Sequence, residues 1–546
     1  MEKDIRALIA QAVKRLGAEE VVVELEIPKE EHFGDIATPV AMGLAKTLKK
    51  PPRKIAEEIV SLLGKSEVFE RIDIAGPGFI NLTFSKTYLY SGLTNILSKE
   101  KTFLRKTPGK GKSIQIEFVS ANPTGPLHLG HGRGAAVGAA LSNLLEAAGY
   151  SVEREYYIND AGRQVKVLGH SVFAKYQQLL GIEYPFPEDG YRGHYVEEIA
   201  RKMMDRYGKK FSETGFQEVS GIFVDFSYQE MLAEIEKDLG DFGIVFDTWQ
   251  SERDLYAKND VENAIDDLRR RRHLYEEEGA LWFRATKFGD DKDRVIVKSD
   301  GEYTYFASDI AYHRKKIEKK FSEIIDIWGA DHHGYIARLK AVIQALGYPP
   351  DHLRVLLVQM VTLLRAGKPV QMSKRAGEFV TLREVMDEVG ADTTKFIFLT
   401  RRPDSHLEFD LETAKAQSAE NPVFYVQYAN ARINSIFAKA KEKGTALGEP
   451  GGIDFSRLVE NEELRIIKKL LTYPVVFEGA VLSHEPHRIT FYLQELAGLF
   501  HPYYNKYRVI TDEAELSRAR LALCEAVRIV LRDGLEILGL TAPEKM

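Results

Sequence analysis

The sequence predicts an α/β centre built on a parallel sheet, with an α+β unit before it and an all-α unit after it. Three observations carry this. Apolar runs such as Ile114-Gln115-Ile116-Glu117-Phe118-Val119 and Ile324-Ile325-Asp326-Ile327-Trp328 alternate with helical stretches from about residue 113, the pattern of an α/β sheet. Before about residue 105, helices mix with short strands. After about residue 410, helical periodicity dominates to the end.

The first unit spans 1–105 and ends in the basic linker Arg105-Lys106-Thr107-Pro108-Gly109-Lys110-Gly111-Lys112, where Pro and Gly break regular structure. The α/β part spans 111–410, with further strands at Leu281-Trp282-Phe283 and Arg294-Val295-Ile296-Val297. An insertion interrupts it at about 180–250. Tyr184-Pro185-Phe186-Pro187-Glu188-Asp189-Gly190 reads as a loop, followed by charged helical sequence. The helical part spans 411–546: a long helix begins near Asn421-Pro422-Val423, and Val527 to Leu535 belong to a last amphipathic helix.

A chain of 546 residues exceeds what one core supports, so several domains are expected. The single cysteine, Cys524, allows no internal disulfide and suggests a reducing compartment; a cytoplasmic location is expected. Met1 to Ala10 reads as a charged amphipathic helix rather than a signal peptide. No run is long and apolar enough to span a bilayer, so no membrane partner is expected. The net charge of −6 argues against unselective nucleic-acid binding without excluding RNA, because local patches decide such contacts. Arg269-Arg270-Arg271-Arg272 is one such patch, and His313-Arg314-Lys315-Lys316 with Lys319-Lys320 is another. Sequences of this kind are more often solvated helix faces.

The most informative segment is Ala121-Asn122-Pro123-Thr124-Gly125-Pro126-Leu127-His128-Leu129-Gly130-His131. It follows the strand at Ile114–Val119 and precedes a helix, Ala135-Ala136-Val137-Gly138-Ala139-Ala140-Leu141. A helix start presents unpaired N–H groups and the positive end of the macrodipole, which suits phosphate. Gly130, Gly132 and Gly134 are expected to leave room for close approach of a ligand. Together with two imidazole donors, this points to a nucleoside triphosphate reacting at phosphorus. Zinc would need three or four ligands, and no third one lies at a suggestive local spacing. A dinucleotide fold is the other alternative, with Gly132-Arg133-Gly134-Ala135-Ala136-Val137-Gly138 as a loose glycine pattern and Glu153 or Glu155 as the ribose acid. It leaves the two histidines unexplained.

Far downstream, Val358 to Leu364 reads as a strand, followed by a turn at Ala366-Gly367-Lys368-Pro369 and the basic loop Gln371-Met372-Ser373-Lys374-Arg375-Ala376-Gly377. Taken alone, that loop is a solvated turn. Paired with the histidines it becomes a cationic clamp, because an ammonium offsets charge developing on a pyrophosphate leaving group.

His128-Leu129-Gly130-His131 and Met372-Ser373-Lys374 resemble the two nucleotide motifs of class I aminoacyl-tRNA synthetases. Glu117 to Pro126, Tyr303 to Tyr312 and Trp328-Gly329-Ala330-Asp331-His332-His333-Gly334 are similar to the arginyl-tRNA synthetases of bacterial type, as are Phe33-Gly34-Asp35, Ile74 to Asn81, and the C-terminal stretch from Tyr503 to Leu540. The resemblance covers essentially the whole chain. It implies a Rossmann-like catalytic domain over 111–410, an N-terminal tRNA-contacting domain and a helical anticodon-binding domain. The implied reaction joins L-arginine to tRNA(Arg) through an arginyl-adenylate. ATP is a substrate, Mg²⁺ is carried with it and bridged by phosphates, and no dedicated protein metal site is expected. A monomer is expected.

By the same resemblance, His128, His131 and Lys374 are catalytic. ATP is contacted by Pro123, Thr124, Gly125, Pro126, Leu127, His128, Leu129, Gly130, His131, Gly329, Asp331, His332, Met372, Ser373 and Lys374. Arginine is contacted by Glu117, Ser120, Asn122, Tyr305, Asp309 and His333, with Tyr305 and Asp309 on one helix face at i, i+4 reading the guanidinium. Phe79 and Asn81 contact the tRNA elbow, and Tyr503, Tyr504 and Asn505 the anticodon. Many family members lack the lysine at Lys374 and carry one just before the histidine motif. Here Lys374 is present and Gly125 stands at the upstream place, while Gln371 replaces the first lysine of the downstream motif.

Overall fold

The computed structural model describes residues 5–18, 22–28, 30–64, 66–370 and 380–546. These form two compact units. One contains 1–106, 424–537 and 541–546; the other contains 107–423 and 538–540. Among the described residues, no helix is long and apolar enough to cross a membrane.

The first unit joins an N-terminal α+β segment to four C-terminal helices. Its antiparallel sheet places Phe79–Phe84 between Ile36–Thr38 and Phe69–Ala75. The helices are Pro422–Glu442, of which all but the first two residues belong here, Asn461–Ser483, His487–Lys506 and Ala514–Ile537. The N-terminal and C-terminal segments share one core. Gly92 faces Leu471 so closely that a Cβ there would lie 2.3 Å from the leucine side chain. Arg105 donates to buried Asp533 at 2.8 Å, and the Tyr473 hydroxyl donates to the same carboxylate at 2.7 Å.

The second unit is built on five parallel strands: β1 (Ser113–Glu117), β2 (Ser151–Ile158), β3 (Thr248–Ser251), β4 (Glu323–Gly329) and β5 (Leu353–Val358). Their spatial order is β5-β4-β1-β2-β3. The chain runs outward from β1 to one side, then returns to β1's other flank. Ligands of such sheets bind beyond the carboxyl ends of the strands at this reversal, which here lies between β1 and β4. Strand β6 (Val361–Arg365) leaves this sheet and pairs in parallel with Leu407–Asp410.

Helix α1 (Leu129–Ala147) connects β1 to β2. Its small residues bring it close to the sheet: a Cβ on Gly138 would lie 2.3 Å from the Phe118 ring. Helices α2 (Arg163–Leu179), α3 (His194–Tyr207) and α4 (Phe216–Asp241) fill the β2–β3 crossover around their own apolar cluster, with Phe173, Tyr176, Met203 and Phe223 at its centre. The helical insertion therefore starts near residue 163. Helix α5 (Tyr305–Glu318) packs Phe306 and Ile310 against a second cluster containing Phe283, Ile296 and Val342. Helix α6 (Leu382–Val389) opens on a Thr381–Glu384 capping box.

The other side of α5 is held by buried charge. The Lys316 ammonium donates to Glu117 at the end of β1 and, at 2.7 Å, to Asp326 of β4. The His313 ring meets Asp326 at 3.1 Å. The Tyr312 hydroxyl reaches Glu117 at 2.9 Å and also Glu155 of β2. His313 and Lys316 are thus core residues, so two members of the second basic stretch do not belong to a surface patch, while Lys319 and Lys320 remain exposed. The first one is neutralised locally, Arg269 by Asp266 at 2.8 Å and Arg271 by Asp267 at 3.2 Å.

Candidate active site

The chain leaves β1 through a left-handed turn. Val119 has φ 69° and Ser120 φ 39°, a region that L-residues rarely occupy, least of all a β-branched one. Each such residue costs about 1–3 kcal/mol and persists only where its surroundings fix it. Here the Ser120 hydroxyl donates to Glu117 at 2.8 Å and accepts from the Tyr157 amide at 3.1 Å. The Tyr156 hydroxyl donates to the Ala121 carbonyl at 2.9 Å. The turn is therefore stitched to β2, and it delivers Pro123 to Leu127 across the carboxyl end of the sheet into α1.

His128 is the N-cap of α1. Its Nδ1 accepts from the amides of Gly130 at 3.0 Å and His131 at 3.3 Å, while the His128 amide donates to His131 Nδ1 at 3.4 Å. Both Nδ1 atoms act as acceptors, so each neutral ring carries its proton on Nε2. The rings stack at 3.6 Å with 14° between their planes. Burial, and secondarily His128, push the His131 pKa down to about 3 from 6.5. His131 thus stays a neutral hydrogen-bond donor across physiological pH. An NMR titration should find no imidazole transition for His131 between pH 5 and 8; a midpoint near 6.5 would refute this arrangement.

The histidine pair opens into a cleft of about 880 Å³, which also touches Asn122, Gly125, Gln164, Tyr195 and Met360. Asn122 is exposed there and donates to Gln164 at 2.6 Å. Gly130 lines the cleft. Gly132 does not serve ligand approach as expected: a Cβ there would lie 2.6 Å from Leu382, so its role is to let α1 pack on α6. A Cβ on Gly134 would meet nothing within 4 Å.

The chain just downstream of the second motif meets the histidine motif here. His128 forms an antiparallel bridge with Thr381, and the Leu382 amide donates to the Leu127 carbonyl at 2.7 Å. The chain that follows the basic loop thus re-enters beside the first histidine. Gln371, Met372, Ser373 and Lys374 themselves lie outside the described residues. Before the loop, the strand expected over Val358–Leu364 is divided at Gln359-Met360, where β5 ends and β6 begins. The fully buried guanidinium of Arg133 explains the break. It donates to the carbonyls of Gln359 at 2.9 Å, Arg402 at 2.8 Å and Ser405 at 2.7 Å, drawing both segments onto α1.

Tyr305 and Asp309 share the first turns of α5. Tyr305 is 68% exposed, whereas Asp309 is partly buried and accepts a hydrogen bond from the Tyr335 hydroxyl. Burial raises the Asp309 pKa. Glu252, just past the end of β3, is only 3% exposed; burial raises its pKa too, and the neighbouring charges of Asp309 and Asp160 add to the rise. Glu252 does not stand out in the amino-acid order. Its one signal is an acid at the carboxyl end of a strand. A buried and a partly buried carboxylate that feel one another's charge suit a planar, permanently charged guanidinium.

Other expected residues are placed differently. Glu117 is buried and engaged by Lys316, Tyr312 and Ser120. It braces the turn and α5 rather than presenting a vacant carboxylate to a substrate. Gly329 ends β4, and Asp331, His332 and His333 are exposed on the turn that follows. In the first unit, Phe79 is half-buried and Asn81 is buried within the sheet, while Tyr504 lies under the Arg432 guanidinium at 4.8 Å and Asn505 is exposed. Tyr503 is a correction: its ring is completely buried and its hydroxyl faces Glu463 at 3.5 Å, so it packs helices and offers no face to a base.

Comparison with known proteins agrees with this geometry. Residues 92–436 match the family described as tRNA synthetases class I (R), catalytic domain, residues 3–84 the arginyl tRNA synthetase N terminal domain, and residues 426–546 the DALR anticodon binding domain. The arginine–tRNA ligase of Syntrophotalea carbinolica is 50% identical over 525 residues, covering 96% of this chain and 95% of that protein. That of Geobacillus thermodenitrificans is 48% identical over 553 residues, covering 100% and 99%. The solved Thermus thermophilus arginyl-tRNA synthetase shares the fold, with a TM-score of 0.79 over 99% of both chains at 23% identity. Identity at this level along the whole length settles the ancestry: the chain belongs to the arginyl-tRNA synthetase family of class I.

Proposed function

We propose that this chain activates L-arginine with ATP and transfers the arginyl group to tRNA(Arg), and that the cleft beside His128 and His131 is where activation occurs. The observation that carries the assignment of the cleft is the reciprocal histidine cap at the sheet's reversal point. In the first step an arginine carboxylate oxygen bonds to the α-phosphorus of ATP, the α–β P–O bond breaks, and pyrophosphate leaves. In the second a terminal ribose hydroxyl of tRNA attacks the acyl carbon and AMP leaves. Neither step needs a protein nucleophile; positioning and charge stabilisation suffice.

The Nε2–H groups of His128 and His131 donate to phosphate oxygens as charge moves toward the leaving group. Pro123 to Leu127, Leu129 and Gly130 shape the nucleotide site, with Gly329, Asp331 and His332 at the end of β4 and Met372, Ser373 and Lys374 from the downstream loop. Mg²⁺ enters with ATP, held by phosphate oxygens. Asp309, Glu252 and Tyr305 receive the guanidinium, and Ser120, Asn122 and His333 the remaining polar groups of arginine. Phe79 and Asn81 serve the tRNA elbow, and Tyr504 and Asn505 the anticodon. The protein works as a monomer in the cytoplasm.

The test is aminoacylation of tRNA with each amino acid in turn, with arginine alone expected to be charged. His128→Ala should slow arginine-dependent pyrophosphate exchange ~10²–10³-fold, while loss of the N-cap lowers stability by only about 0.5–2 kcal/mol and leaves the protein folded. Near-normal exchange by that variant defeats the assignment of the cleft.

A further inference from the structure

We propose that Arg192, in the insertion between β2 and β3, is an additional phosphate-binding residue of the activation cleft. The inference rests on the reading of that cleft given above. The loop from Tyr184 to Gly193 forms part of the cleft wall, and Arg192 lines the same space as His128 and His131.

The loop is fixed in place at both ends of its inner stretch. The Tyr191 amide donates to the Ser171 hydroxyl at 2.9 Å. The Tyr195 hydroxyl donates to the Thr124 carbonyl at 2.8 Å. A Cβ on Gly125 would lie 3.2 Å from that hydroxyl, so the glycine directly upstream of the histidine motif gives the insertion room to dock. A larger side chain at 125 would have to share that space with Tyr195.

The charge on this wall is unequally spent. Arg163 pairs with Asp189 at 2.5 Å. Arg192 makes no ion pair among the described residues; its guanidinium lies 4.8 Å from the Phe186 ring centroid and is exposed. A ring face orients a guanidinium while leaving its donors available. The histidine pair supplies hydrogen bonds, but with His131 neutral it adds little positive charge. A triphosphate or a phosphodiester entering the cleft therefore meets one uncommitted cation on this wall, in the side chain best shaped for bidentate contact with phosphate oxygens. Glu188 shares the wall, and a phosphate carried with Mg²⁺ offers partners to both signs.

The phosphate has two sources, the triphosphate of ATP and the 3′-terminal backbone of tRNA, and steady-state constants separate them. For Arg192→Ala, the KM for ATP in pyrophosphate exchange or the KM for tRNA in aminoacylation should rise about tenfold or more, with the KM for arginine within about twofold. Arg192→Lys should recover part of the loss. A rise confined to ATP assigns the triphosphate, and one confined to tRNA the phosphodiester. The inference is overturned if both constants stay within about threefold of the parent, or if all three KM values and the melting temperature change together. His128→Ala, assayed in parallel, separates the two readings. If it abolishes exchange while Arg192→Ala changes nothing, only the role of Arg192 fails; if it leaves exchange intact, the cleft itself is misassigned.

Discussion

Lys316→Met should destabilise the α/β unit by about 3–5 kcal/mol, read as a lower denaturant midpoint in chemical unfolding. Lys316 is 1% exposed and Asp326 is fully buried. Removing the ammonium leaves Glu117 and Asp326 as uncompensated charges inside the sheet, and the cost of a lone buried charge exceeds the net worth of the pair that hid it. Combining Lys316→Met with Glu117→Gln and Asp326→Asn should therefore restore part of the loss. The parent protein should show the same dependence through pH. Burial opposes ionisation of Asp326, but Lys316 and His313 overcome it and hold its pKa down at about 2 from 3.8. A depressed carboxyl contributes its full stability above the unfolded value and loses it as pH falls from about 3.8 through about 2. An unchanged midpoint for Lys316→Met would show that the network contributes nothing.

Asp309→Asn should raise the KM for arginine on the order of 10²–10³-fold, the scale of removing one member of a buried, hydrogen-bonded charge pair, and leave the KM for ATP nearly unchanged. The amide keeps the shape of the carboxylate and can still accept from Tyr335, but it no longer offsets a permanent positive charge. Glu252→Gln should act in the same direction, since the charge of Asp309 contributes to the raised pKa of Glu252. Equal losses for arginine and ATP would mean that Asp309 supports the fold instead of reading the substrate.

Much of the fold is legible in the amino-acid order because parallel strands are buried on both faces and read as continuous apolar runs. Ile114 to Val119 and Ile324 to Trp328 correspond to β1 and β4 in this way. Strand β2, Ser151–Ile158, is different: Glu153, Arg154 and Glu155 interrupt its apolar character, and only tertiary partners (Lys319, Tyr312, Gln115 and Thr248) explain how the two acids sit within a sheet. The same blindness affects the site. The His128–His131 junction is visible because strand, glycine and helix signals are adjacent. Glu252 is invisible because its partner Asp309 is 57 residues away (309 − 252). Tyr503 and Tyr504 are neighbours in sequence but point to opposite environments on one helix, which periodicity alone does not separate without knowing the packed face.

The buried ammonium also acts as a detent. A purely apolar seam would let α5 settle one helical turn, about 5.4 Å, along its bed at modest cost, because oily surfaces match at many offsets. Lys316 finds both of its acids at one setting only, and any slip strands three charges at once. That single setting locates Asp309, two turns nearer the helix start, to within side-chain tolerance, so the choice among amino acids is governed by a lock some distance from the pocket that makes it.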